Sequence, residues 1–169
     1  MEAMEREALE VEFAQKRAEL AEMMKQMEHM QASYARLTQA RRARAVKEKE
    51  NAAREETAAM ERQLTRCQQA KSNLDAAIAA DDQMRKSACE AACEKEKSAF
   101  ELAQRRERDA CRRYQDELRR QGFSSEAAYQ AAFLTLPAQN KLEKEVEPFR
   151  TRYAQLLERL KEINAALEP

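Results

Sequence analysis

Glycine occurs once in 169 residues, at Gly122, and the first proline follows it, at Pro137. Chain reversals draw mostly on Gly, Pro, Asn and Asp, which tolerate positive φ or preset a turn. With so little punctuation, the residues ahead of Gly122 are expected to form near-continuous helix. Charged residues make up 37% of the chain and aromatics 5%, with no Trp. A chain rich in Ala, Glu, Lys, Leu, Arg and Gln with helical periodicity belongs with long helices and coiled coils, which bury a seam rather than a compact core.

Lys plus Arg (31) equals Asp plus Glu (31), so no net field draws the whole chain toward nucleic acid or an anionic membrane. No apolar run approaches the roughly 20 residues that span a bilayer. The opening MEAMEREALEVEF is too acidic for a signal peptide. The expected location is the cytoplasm, with no membrane partner. Cys67, Cys89, Cys93 and Cys111 fall inside expected helices, as thiols of a reducing compartment rather than a disulfide framework.

The first stretch carries a heptad: Leu9, Phe13, Lys16, Leu20, Met23, Met27, Met30, Tyr34 and Leu37. Alternating steps of four and three mark a seam facing another helix. That seam predicts a protein partner or self-association. Its methionines make it soft. His29 sits beside the stripe as a solvated flank residue. From Thr38 to Ala59 the seam fades into TQARRARAVKEKENAAREETAA. Opposite-charge pairs such as Arg44–Glu48 and Lys47–Glu50 support it as a solvated length of helix. A phosphate contact by Arg41, Arg42, Arg44, Lys47 and Lys49 is the competing reading.

A second seam resumes at Met60, Leu64, Cys67, Leu74 and Ile78, out of register with the first. Asp81–Asp82 offers a helix restart, since Asp caps an N-terminus. The absence of Gly and Pro there favours a helix that continues, with 79–83 as the place for any break. Cys89 and Cys93 lie one turn apart and supply two soft ligands, short of the four a tetrahedral zinc site needs. Packing is the preferred reading, because Cys93, Phe100 and Ala103 continue one face. No metal, cofactor or small-molecule substrate is expected.

The run Arg105, Arg106, Arg108, Arg112, Arg113, Arg119 and Arg120 is the most basic part. Arginine suits bidentate phosphate contact, and Arg105, Arg106, Arg112 and Arg113 are the candidates for a weak DNA interaction. Arginine equally flanks coiled-coil seams, and that reading is preferred.

Gly122 then ends the long helix, since a helix C-terminus favours a residue at positive φ. Phe123 is expected to fold back on Tyr114 and Leu118, and Ser124 or Ser125 to cap a short helix presenting Tyr129, Phe133 and Leu136. Pro137 ends it and opens the next helix at its first turn. The last helix has a strict seam: Leu142, Val146, Phe149, Tyr153, Leu156, Leu160, Ile163 and Leu167. Pro148 is expected to kink it or to mark a restart.

The expected fold is all-α: an elongated antiparallel coiled coil with one very long helix, a Gly122 elbow, a short helix and a long return helix. Its parts are an arm over 1–121, an elbow with a short helix over 122–137, and a return helix over 138–169 packing on about 90–120.

The stretch QGFSSEAAYQAAFLTLPAQNKLEKEVEPFRTRYAQLLERLKEINAALE resembles a segment of the SbcC-type subunits of bacterial SbcCD exonucleases, coiled-coil ATPases of double-strand-break repair. The matching positions are Gly122, Phe123, Ser125, Tyr129, Ala132 and the seam from Leu142 onward. The resemblance covers residues 121–169 and implies a piece of the coiled-coil arm. That family's nucleotide-binding loop GxxxxGK[ST] has no counterpart here, because one glycine cannot build it. Its Cys-x-x-Cys zinc hook is also missing, since Cys89 and Cys93 have one residue too many between them.

The leading expectation is therefore a non-catalytic arm or tether of an SbcC-like DNA-repair complex, with Gly122 as its elbow. The alternative is a small charged helical-hairpin chaperone or stalk protein that holds a partner helix, as in a secretion-export apparatus. A single His and no nucleophile-plus-base grouping give little for an enzyme to work with.

Overall fold

The computed structural model describes residues 1–169 as an all-α chain without strands. Its helices are α1 (Ala3–Ala79), α2 (Gln83–Arg120), α3 (Glu126–Ala132) and α4 (Leu136–Leu167). No helix is long and apolar enough to cross a membrane. Two compact units divide the chain: Met1–Arg41 with Ala132–Pro169, and Arg42–Ala131. Helix α1 contributes to both.

In the first unit α4 runs antiparallel to the opening of α1. Met23, Leu156 and Leu160 are buried together, with Phe13, Leu20, Phe149 and Tyr153 packed around them. Burying side chains of this size stabilises by about 1.5–3 kcal/mol each. Ion pairs fix the register from both sides of the seam. Arg159 bridges to Glu12 at 2.7 Å, Arg152 bridges to Glu19, and Arg41 reaches Glu143 at 3.0 Å. Partner numbers fall along α4 as they rise along α1, which defines the antiparallel sense. All eight expected seam residues of α4 are buried or half-buried. The Thr135 hydroxyl accepts from Ala138 N–H at the start of α4, with Pro137 in its first turn. Helix α4 continues through Pro148 without interruption.

In the second unit α2 folds back on the later part of α1. Gln63 of α1 donates to the Glu96 carbonyl of α2 at 3.1 Å, and Cys67 donates to the same oxygen at 3.1 Å. The buried and half-buried residues of α2 include a heptad: Cys89, Cys93, Glu96, Phe100, Ala103, Glu107, Ala110, Tyr114 and Glu117.

The reversal between them corrects the expectation of a continuous helix. Asp81 has φ 53°. Asp82 N–H donates to the Ala77 carbonyl at 3.2 Å and Asp81 N–H to the Ile78 carbonyl at 3.1 Å. This is a Schellman cap with Asp in the place usually taken by Gly. Asp82 then opens α2, its Oδ1 accepting from Arg85 N–H at 3.0 Å. Asp tolerates the left-handed region because its short polar side chain bonds locally, so the turn needs no glycine.

The packing of the return helix is corrected by the same turn. It does not lie on about 90–120, because α2 has already spent that apolar stripe on α1. The strict seam of α4 pairs instead with the Leu9–Leu37 heptad. That seam, expected to seek a second protein or a second copy, is covered from within the chain. The short helix is also shorter than expected: it ends at Ala132, and Leu136 is the first residue of α4.

The stretch Thr38–Ala59 is not uniformly solvated. Ala40, Ala43, Val46, Glu50 and Ala53 are buried at steps of three and four. Small residues carry the stripe here, which conceals it from a search for large apolar ones. Further along, Met60, Cys67 and Leu74 are half-buried on one stripe with buried Ala70 and Ala77, while Leu64 and Ile78 are exposed, so the second seam keeps three of its expected residues and takes Ala70 and Ala77 in place of the other two.

Candidate functional site

The joint is built from the end of α2 and the residues that follow. Gly122 has φ 82°. Its N–H donates to the Arg119 carbonyl at 3.0 Å, and Phe123 N–H donates to the Leu118 carbonyl at 2.9 Å. The two bonds complete a second Schellman cap, satisfying carbonyls that the helix end leaves open. Phe123 is thereby turned inward and buried. Ser125 caps α3, its Oγ accepting from Ala128 N–H at 3.1 Å. Gly122, Phe123 and Ser125 thus stand together as one capping unit.

Tyr129, 1% exposed, is the centre of the joint. Its ring meets Tyr114 edge-on at 6.3 Å and Phe123 at 6.0 Å. Such contacts add about 0.5–1.5 kcal/mol beyond the area they bury. Glu50 of α1 is buried beneath it and bridges to Lys47 at 3.2 Å and Arg54 at 3.1 Å. Burial, reinforced by the Glu50 charge and a hydrogen bond to it, pushes the Tyr129 phenol up to about 12. Burial together with a hydrogen bond to Glu126 also raises the Tyr114 phenol. Both phenols are therefore neutral donors to carboxylates at ordinary pH. The sequence identified Glu50 only as the ion-pair partner of Lys47 in a solvated stretch, and its burial under Tyr129 was missed. The spacing of Ala43, Val46 and Ala53 around it was the available signal.

The arginines of α2 occupy the face turned away from α1. Arg105, Arg106, Arg108, Arg112, Arg113, Arg119 and Arg120 are all exposed, and Ala110, Tyr114 and Leu118 are buried on the opposite side. Arg112 pairs with Asp109 at 2.8 Å and Arg120 with Glu117 at 3.8 Å. Arg105, Arg106 and Arg113 form no salt bridge. Intrahelical pairs this exposed contribute a few tenths of a kcal/mol, so they leave the guanidinium groups available to an external anion.

Cys89 and Cys93 are half-buried on the seam of α2. No group of three or more His, Cys, Asp or Glu side chains is arranged to hold a metal ion. His29 lies on the exposed flank of α1, its Nε2 3.0 Å from a Glu145 oxygen on α4. The first unit also has an apolar groove of about 290 Å³, lined by Met27, Met30, Tyr34, Phe149 and Tyr153. Phe149 and Tyr153 stack with their rings 6.4 Å apart, and the Arg150 guanidinium covers Tyr34 at 4.1 Å.

Comparison with known proteins returns no matching family model, no matching curated protein and no matching solved structure.

Proposed function

We propose that the chain is a non-catalytic antiparallel coiled-coil arm or tether acting in an SbcC-type DNA-repair complex. The observation that carries this reading is the pairing of α1. Each unit matches a stretch of it in heptad spacing with an antiparallel partner, α4 in one and α2 in the other. Large apolar side chains are spent on holding helices together, and the outward charges remain for contact with other molecules. The Gly122–Phe123 cap supports the reading further, because it lies within the stretch that resembles the SbcC-type segment. In this role the arm transmits position rather than performing chemistry. The outward arginines of α2 supply a weak, sequence-independent hold on a phosphate backbone.

Affinity purification of the tagged chain from its native cell tests the proposal. Recovery with an ATP-binding head and its nuclease partner is expected. Recovery with components of an export apparatus would instead establish the second reading, a stalk or chaperone for a partner helix. That alternative rests on the groove of Met27, Met30, Tyr34, Phe149 and Tyr153, whose flexible methionines suit an apolar side chain from outside.

A further inference from the structure

A cleft of about 400 Å³ lies between α1 and α2 in the part of their pairing next to the Asp81 turn. Arg66 lines it from α1 and Arg85 from α2. Helical spacing puts Gln69, Ala70 and Asn73 on the face of Arg66, and Ala88, Ala92 and Glu96 on the face of Arg85. The alanines open the cleft, because larger side chains at those positions would fill it.

The charges of the lining favour an anion. Neither Arg66 nor Arg85 forms an ion pair. Cations at other cavities are taken up internally. Arg54 at the joint bridges to Glu50 at 3.1 Å, and Arg152 in the first unit bridges to Glu19. Glu96 is the acidic residue of the lining, and its carboxylate already accepts from Gln63 Nε2. Gln69 Nε2 donates to Asn73 Oδ1 at 3.0 Å, which leaves the Asn73 N–H groups unspent. The cleft thus offers two guanidinium forks and amide donors, with two arginines against one glutamate.

We propose that this cleft binds the phosphoryl group of a small phosphomonoester. Such a group has its second pKa at about 6, so at pH 7 it carries a charge of about −1.5 to −2 and three strong acceptor oxygens. That matches two guanidinium groups, each able to bond two oxygens at once. A nucleic-acid phosphodiester carries a single charge and is held by many contacts along a strand. Beyond the phosphoryl group, the alanine-lined space receives the organic part of the ester. A ligand held by Arg66 and Arg85 together ties α1 to α2 beside the turn and stabilises the folded chain. This inference stands apart from the repair-arm reading and holds for either proposed role.

The test uses Cys89, whose half-buried thiol also lines the cleft. The full chain is alkylated with N-ethylmaleimide at low salt, with and without phenyl phosphate, and each cysteine is followed by peptide mass spectrometry. Phenyl phosphate is expected to slow alkylation of Cys89 saturably and to leave Cys111, at the joint cavity, unaffected. Arg66→Gln and Arg85→Gln are each expected to raise the half-protecting concentration about tenfold, as loss of one charge-assisted pair predicts. Lys25→Gln, which alters an exposed cation outside the cleft, is expected to leave it unchanged. Isothermal titration calorimetry gives the same comparison without thiol chemistry, and thermal melts of the unliganded variants separate lost binding from lost folding. An oligonucleotide with hydroxyl ends supplies phosphodiesters alone. Protection of Cys89 by that strand equal to that by phenyl phosphate, stronger protection by succinate, equal protection of Cys111, or no protection at all would overturn the proposal. The wild-type pattern decides the matter even where a variant folds poorly.

Discussion

Asp81 and Gly122 hold the same position in two copies of one capping motif. Each is the positive-φ residue that follows a long helix, at 53° and 82° respectively. Each donates its own N–H to a carbonyl in the last turn, and the next residue donates one step further back. The first cap turns α1 into α2, and the second ends α2 and buries Phe123.

The two sites are expected to respond to substitution with opposite signs. No atom lies within 4 Å of the place a Gly122 side chain would occupy, so a substitution there costs only backbone conformation. Gly122→Val is expected to destabilise by about 2 kcal/mol, since a β-branched residue resists positive φ. Asp81→Gly is expected to be neutral or to stabilise by roughly 0.5 kcal/mol. Urea unfolding followed by circular dichroism measures both, and an unchanged midpoint for Gly122→Val contradicts this account of the joint.

Acid should loosen the pairing of α4 with α1. The hydrogen bond and charge of Arg159 hold the Glu12 carboxyl below its ordinary value, and Arg152 does the same for Glu19. A depressed folded-state pKa contributes stability above the unfolded value of 4.5, and that contribution is lost as pH falls through the folded value. Melting temperature is therefore expected to drop below about pH 4.5, with a shallower drop in the double variant Arg152→Gln/Arg159→Gln. Parallel pH profiles for the two proteins would contradict it.

Alkali should act on the joint. The folded Tyr129 phenol titrates at about 12, above its ordinary 10. A raised folded-state pKa gives stability that is full below pH 10 and is lost as pH rises toward 12. Tyr129→Phe is expected to lose part of that alkaline dependence. At neutral pH it should cost about 1–2 kcal/mol, because buried Glu50 loses a donor. Denaturant titrations at pH 7 and pH 11 separate the two effects.

The core of the first unit is thin, so one truncation should weigh heavily. Leu160→Ala is expected to cost about 2–4 kcal/mol, because Met23 and Leu156 cannot close the space it leaves. Amide hydrogen exchange should then rise in α4 more than in α2. Equal exchange in both helices would show that α4 docking does not depend on this cluster.

If the outward arginines grip phosphate, their removal changes the salt dependence of DNA binding. Arg112→Glu/Arg113→Glu is expected to weaken binding alike for all sequences and to lower the slope of log affinity against log salt by about 1–2. Fluorescence anisotropy with a labelled duplex between 50 and 200 mM salt, roughly the range over which such contacts fade, gives the slope. No binding at the lower salt sets the phosphate role aside.

Helical class, the Gly122 cap, the Ser125 cap and the seam from Leu142 to Leu167 were all legible in the sequence. Each depends on local physics: a residue's tolerance for positive φ, a hydroxyl reaching a nearby N–H, or the period at which apolar side chains meet one face. The Asp81 turn was less legible, because Asp enters the left-handed region at a cost that only a favourable surrounding offsets. The buried stripe through Ala40, Ala43, Val46 and Ala53 escaped notice because alanine signals helix and seam alike. Pairing was decided by tertiary structure alone. The α4 seam is compatible by periodicity with α2 or with either part of α1, since heptads resemble one another. The reversal at Asp81 lays α2 along the later part of α1 and covers the apolar stripe there. That left Leu9–Leu37 as the heptad for α4 to cover, with Glu12 and Glu19 placed to receive Arg159 and Arg152. Local chemistry set where the helices begin and end. Competition for buried surface set which of them touch.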